Sequence, residues 1–348
     1  MLAFAFVLAE VGTRMTWRPP GNTALTQGQD LAPHRSRLWA LPEGPRLSFG
    51  NNYVGGANGL RVVADTGAPL RGLTLGDSSI FGHGLADADT LHGSLRRSLG
   101  ARGVEMDVFT GAVPGYSSEQ SRVVLEEEGW DLKPNLLIIG NLWSDTGARG
   151  FQDRAWLADT ARPTYLIENA LRKSYLWWFL RSQVSEPVPS TLPVTWIRDP
   201  DQMGVRRVPI QEYAENLDWM LREASARGIA AVFLTPCNRH RAVMDRGVLT
   251  TWEAYFEVVQ LLADRRSVPV VHGCDVVRRH DLYDDAGFLD DMHPTAALNQ
   301  AYADQIAAML FASGWPERPL LPDPAPPPFN EPLVDTWVAA GRELEQLK

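Results

Sequence analysis

Short apolar runs alternate with longer stretches of helical spacing from Arg71 onward, the pattern of a parallel sheet with crossover helices. Five runs predict strands: LTLG ending at Gly76, VEMDVF near Val104, NLLIIG ending at Gly140, AAVFLT near Val232 and VPVV near Val270. The last is an edge or strand-start position, because Pro269 cannot donate to a central ladder. Between them, Tyr213, Leu217, Met220, Leu221 and Ala224 recur at helix spacing, and the following Gly228 suits a helix C-terminus. Leu298, Tyr302, Ile306, Met309 and Leu310 repeat the pattern after Pro294, which is placed to open a helix.

The flanks read differently. Residues 16–70 are rich in Pro, Gly and Asn, predicting a loop-rich lead-in with at most short strands. Residues 147–209 are too long for an ordinary strand-to-helix connection and carry Trp156, Trp177, Trp178 and Trp196. They predict an insertion, read as a helical subdomain whose tryptophans pack, with a substrate-contacting cap as the alternative. The main domain spans 71–313. Beyond it PERPLLPDPAPPPFNEP predicts a semi-extended tether, since each proline removes a backbone donor, and TWVAAGRELEQLK a short closing helix within 314–348. The first residues, 1–15, are apolar but shorter than the roughly 20 needed to span a bilayer. They predict either a short buried helix or the last part of a membrane segment.

Composition narrows the function. Hydrophobic residues at 45% and charged residues at 22% describe a folded globular chain with a sizeable core. A net charge of -9 without a dense Lys/Arg run argues against nucleic acid as a partner. Cys237 and Cys274 have no metal-ligand spacing and are read as two ordinary thiols. The alternative is one bridge, since each follows a predicted strand of the same sheet. No cofactor or metal is predicted; His240 and His272 lack a carboxylate at ligand spacing and are read as structural.

Two segments carry candidate chemistry. GDSSIFGHG, from Gly76 to Gly84, falls where an apolar strand gives way to a turn, so Ser78 would stand at the carboxyl edge of a parallel sheet. A serine hydroxyl needs a base, and that base needs an orienting acid. FLDDMHPTA supplies both, with Asp290 three residues before His293 and Asp291 as the competing acid. Hydrolysis through His293 should fall in acid, because the base must be neutral to accept a proton. Asp77 is read as fixing the turn beside the serine, and His83 as a solvated residue near it, with a place in the pocket wall as the alternative.

Together with GAVPGYSSEQ and LKPNLLIIGNLWSD, these stretches make the chain resemble the SGNH or GDSL-like hydrolase superfamily over roughly 59–312. The resemblance implies an α/β fold: a three-layer α/β/α sandwich with a flavodoxin-like five-stranded parallel sheet. It implies a serine esterase that cleaves acyl or acetyl esters of a carbohydrate or lipid-like substrate through an acyl-enzyme on Ser78. Alternatives are an O-acyltransferase using the same triad, or a binding or assembly protein with weakened catalysis. The implied oxyanion hole comprises the Ser78 and Gly115 N–H groups and an asparagine side chain. The last departs from the family pattern: GNLWSD has Ser144 where longer versions of the motif place asparagine, so Asn141 is preferred as third donor and Ser144 is second. Relatives of this kind often carry an N-terminal membrane segment ending like AEVGTRM, which implies membrane association and an extracytoplasmic location.

Overall fold

The computed structural model describes residues 2–16, 31–34, 36–48, 51–56, 59–63, 65–149, 152–160, 174, 176, 179–180, 205–243 and 252–335. The strands in chain order are β1 (Ala32–His34), β2 (Leu38–Ala40), β3 (Gly44–Ser48), β4 (Asn51–Gly55), β5 (Arg61–Val62), β6 (Leu70–Gly76), β7 (Met106–Thr110), β8 (Leu136–Gly140), β9 (Ala148–Arg149), β10 (Val205–Arg206), β11 (Ala230–Thr235) and β12 (Val270–His272).

Eight of them form one sheet in the order β12-β11-β8-β6-β7-β5-β4-β3. The five predicted strands are its parallel part, β7-β6-β8-β11-β12, which is the flavodoxin-like order. β7, β8 and β11 are buried along their whole length, as strands covered on both faces must be. Helices Leu91–Gly100, Gly273–His280 and Ala296–Ala312 pack together as one layer. Ser118–Val124, Ile210–Ala226 and Glu253–Arg266 pack together as another, completing the three-layer sandwich. Tyr213, Leu217, Met220, Leu221 and Ala224 are all fully buried, and Gly228 takes a φ of 69° just past its helix.

The lead-in does more than cover the core. β5, β4 and β3 continue the sheet antiparallel beyond β7, making eight strands of the five expected. These short strands lack the alternation that marks a strand in sequence, and pairing with an existing sheet edge supplies their order instead. Arg61 of β5 is buried, where its guanidinium packs against Tyr53 and Phe81.

The tail also departs from expectation. Residues 313–335 contain no strand, yet they clasp the domain instead of trailing from it. Leu320 O accepts from Ala231 N, the buried Arg266 donates to the carbonyls of Asp323 and Pro327, and Phe329 is buried. A proline-rich chain keeps its carbonyls free to accept, which suits a strap against buried arginine. The closing helix expected at TWVAAGRELEQLK lies outside the described residues.

Among the described residues, the insertion begins and ends as a two-stranded pair, β9 with β10, followed on its first arm by helix Asp153–Thr160. Trp156 packs partly buried against the core, whereas Trp177, Trp178 and Trp196 lie outside the described residues. The N-terminal helix Leu2–Thr16 leaves Phe6, Val7, Leu8, Val11 and Met15 exposed. No helix among the described residues is long and apolar enough to cross a membrane.

Candidate active site

The carboxyl end of β6 delivers Ser78. β6 and β8 run in register to their ends, pairing Gly76 with Gly140. A β-carbon on Gly76 would lie 2.6 Å from Ile80 Cγ1, and one on Gly140 2.5 Å from Ile80 Cδ1. The two glycines thus open the gap that seats Ile80 and draws the short helix Ser78–Phe81 onto the strand ends. Asp77 caps that helix, accepting from Ser79 N (3.0 Å) and Ser79 Oγ (2.7 Å), and its second oxygen accepts from Ser144 N (3.2 Å). Asp77 therefore ties the β6 turn to the β8 turn, as the turn-fixing role read from sequence requires. Its burial pushes its carboxyl above the usual range, opposed by the Ser79 hydrogen bonds.

His293 arrives from a loop that closes on itself. Leu289 N donates to His293 O (2.8 Å), and Thr295 N donates to Gly287 O (2.9 Å). Phe288 and Pro294 pair across the loop. The helix expected to open at Pro294 begins two residues later, at Ala296, because Thr295 has the side-chain acceptor a cap requires. Asp290 Oδ1 accepts from the N–H groups of Met292 and His293, both at 2.9 Å. Its Oδ2 lies 2.6 Å from His293 Nδ1.

His293 Nε2 lies 2.8 Å from Ser78 Oγ. A carboxylate can only accept, so Nδ1 carries the ring proton and Nε2 is left to accept from the serine hydroxyl. Burial acts to raise the Asp290 pKa, but the hydrogen bonds from His293 and Met292 outweigh it and hold the carboxyl well below the usual range. Asp290 is thus held as a carboxylate beside the ring. Asp291 is exposed and contributes its carbonyl, which accepts from Arg239 N (2.8 Å).

Gly115 lies on the turn after β7 with a φ of 80°. Trp39 Nε1 donates to Pro114 O (3.0 Å), Tyr116 Oη returns a bond to Trp39 O (2.5 Å), and Gln120 Nε2 donates to Arg37 O (2.6 Å). The lead-in therefore braces this turn, a role that its irregular sequence conceals. Arg207, at the far end of the insertion, grips Asp153 (2.8 Å) and Gln120 (2.6 Å) beneath it. Among the described residues, neither the Ser78 N–H nor the Gly115 N–H donates to a protein acceptor.

Asn141 and Ser144 separate clearly. Asn141 is 3% exposed and its Nδ2 donates to Ser121 Oγ (2.9 Å), within the core. Ser144 is half-buried, with its hydroxyl 3.5 Å from Asp77 Oδ2. The Asn141 amide gives one of its two N–H groups to Ser121, and the Ser144 hydroxyl gives its single proton to Asp77.

Two further expectations change. Cys237 and Cys274 form a disulfide, not two thiols: β11 and β12 are parallel neighbours, so their ends bring the cysteines together. His83 is buried, not solvated, and its ring stacks on His293 with centroids 4.4 Å apart. The sequence signal for this was only its distance of five residues from Ser78. His240 and His272 are exposed, and no group of side chains suited to a metal ion occurs among the described residues.

No protein-family model matches the chain, and no curated protein matches it. Solved structures do. A lipase/acylhydrolase from Enterococcus faecalis is similar at a TM-score of 0.45 and 16% identity, over 70% of this chain and 97% of that one. Axe2, an acetylxylan esterase from Geobacillus stearothermophilus, is similar at 0.46 and 15%, over 71% and 95%. LAE5, an alpha/beta hydrolase enzyme from the metagenome of Lake Arreo, Spain, is similar at 0.45 and 17%, over 71% and 96%.

Proposed function

We propose that the protein is a serine ester hydrolase of the SGNH type, with Ser78 as nucleophile, His293 as general base and acid, and Asp290 orienting the imidazole. The observation that carries this reading is the chain of contacts from Asp290 through His293 to Ser78, at 2.6 and 2.8 Å.

In the first half-reaction Ser78 Oγ attacks the ester carbonyl carbon while its proton passes to His293 Nε2. Negative charge moves onto the carbonyl oxygen, which the N–H groups of Ser78 and Gly115 receive. Ser144 Oγ is the third donor, exchanging its long 3.5 Å bond to Asp77 for the oxyanion, whereas the Asn141 amide is held at 2.9 Å on Ser121 within the core. As the carbonyl re-forms, the alcohol leaves with the proton from Nε2. Water then attacks the acyl-enzyme, giving its proton to Nε2, and Ser78 is regenerated as the carboxylic acid departs.

The substrate is a small-molecule or glycan ester. We place the protein outside the cytoplasm, a reading supported by the Cys237–Cys274 bridge, since such bonds persist in oxidising compartments. The exposed apolar side chains of Leu2–Thr16 support membrane association through that helix.

Hydrolysis of p-nitrophenyl acetate by the wild type and Ser78→Ala tests the proposal. Turnover lost in a variant with an unchanged melting temperature supports it. Equal rates in the two proteins overturn it.

A further inference from the structure

His83 and His293 come from opposite ends of the domain to the same point. His83 N donates to Ser78 O (3.3 Å), closing the turn at Gly82 that ends the nucleophile's helix. Arg61 holds this turn from β5, donating to the carbonyls of Phe81 (2.9 Å), Gly82 (3.3 Å) and Leu85 (3.2 Å) and pairing with Asp87. His293 is held separately, by the loop around Asp290. The two rings meet at a centroid distance of 4.4 Å with their planes 26° apart. Only 8% of His83 is exposed.

A second imidazole beside a general base could relay protons or serve as a wall. A relay must titrate near the working pH. Burial first, and the neighbouring His293 second, push the His83 pKa down to about 4, with Asp290 opposing. His83 thus stays neutral while His293 gains and loses its proton. A neutral aromatic face can do two things for the ring it covers. It restricts rotation about the bond that carries the ring, and its electron-rich face attracts the cation formed as the serine proton arrives.

We propose that His83 is a positioning residue for His293: its stacked ring holds Nε2 in line with Ser78 and favours the imidazolium formed during attack. This rests on the ester-hydrolase reading above.

The test compares wild type, His83→Ala, His83→Leu and His83→Phe on p-nitrophenyl acetate. Replacement by Ala should lower kcat about tenfold, the scale of one cation–π contact, and leave KM within about twofold. Phenylalanine keeps an aromatic face without a titrating nitrogen and should restore kcat to within about threefold of wild type. Leucine fills space without that face, so it should stay impaired; it also serves if the alanine variant fails to fold. Wild-type kcat in the alanine or leucine variant, or equal impairment with phenylalanine and leucine, overturns the proposal. A second readout needs no turnover. Relaxation of the His293 ring carbons by NMR should report a rigid ring in wild type and His83→Phe and a mobile one in His83→Ala. Equal rigidity in all three refutes the positioning role, whereas absence of Ser78-dependent turnover refutes the hydrolase reading.

Discussion

Trp39 and Pro114, 75 residues apart, are joined by a 3.0 Å hydrogen bond from the indole nitrogen to the proline carbonyl. That bond lays the indole beside Gly115, where Cζ2 stands 3.2 Å from the place a β-carbon would occupy. A residue at φ 80° is strained unless it is glycine, so the turn is restricted both by its backbone and by its neighbour. Gly115→Ala should lower kcat about 100-fold by displacing one oxyanion donor. The melting temperature should fall by only a few degrees, as a cost of about 1–2 kcal/mol implies. Full activity in this variant would remove Gly115 from the oxyanion hole.

Ser144 and Asn141 should respond in opposite ways. Ser144→Ala removes a half-buried hydroxyl at the turn beside Asp77 and should lower kcat by about tenfold or more with little change in stability. Asn141→Ala removes a buried bond to Ser121 and should cost about 1–3 kcal/mol of stability. Its kcat per folded molecule should change less. Parallel kinetics and thermal melts of the two variants check the assignment, and the reverse pattern would return the third donor to Asn141.

The disulfide closes a loop with a sequence separation of 37 and should stabilise the fold by about 4 kcal/mol on the chain-entropy estimate. Its effect reaches the site. Arg239, two residues after Cys237, donates to the carbonyls of Asp291 and Phe288 and pairs with Asp285 on the loop that carries His293. Urea melts of Cys237→Ser/Cys274→Ser should show the loss, and kcat should fall with it. Unchanged stability would mean that the unfolded chain is already constrained there.

Asp145 makes stability fall as the pH rises from the ordinary carboxylate range to about 7. Burial, opposed by the hydrogen bonds of Ser118 and the charge of Arg207, pushes its carboxyl up to about 7. Because the folded value lies above the unfolded one, its contribution is complete below the unfolded pKa and is lost as pH rises through about 7. Asp145→Asn mimics the protonated acid. Its melting temperature relative to wild type should therefore rise between about pH 5 and about pH 8. A difference independent of pH would contradict this assignment.

The parallel part of the sheet was legible because its strands are continuous apolar runs, a signal created by burial on both faces. The meeting of Ser78, Asp290 and His293 was legible because their neighbours carry the turn and cap chemistry that presents them: Gly76 before Ser78, and the DxxH spacing that lets one carboxylate bind both backbone and ring. What escaped depends on distant segments. The bond from Trp39 to Pro114 and the clamp of Arg61 on the turn at Gly82 join residues whose surroundings look like loop, and no local periodicity announces them. His83 looked solvated because a glycine stands on either side, yet the fold brings His293 over its face. The strap at 313–335 was readable as extended but not as bound, since its partner Arg266 lies on a helix whose pattern gives no hint of it.

In the proposed mechanism Ser78 is made nucleophilic by His293. Labelling the folded protein with a fluorophosphonate and mapping the adduct by peptide mass spectrometry tests this most directly. The predicted result is a single adduct on Ser78, absent in Ser78→Ala and slower by about 1,000-fold or more in His293→Ala. An adduct elsewhere, no adduct on a folded sample, or wild-type labelling in the absence of His293 would contradict it.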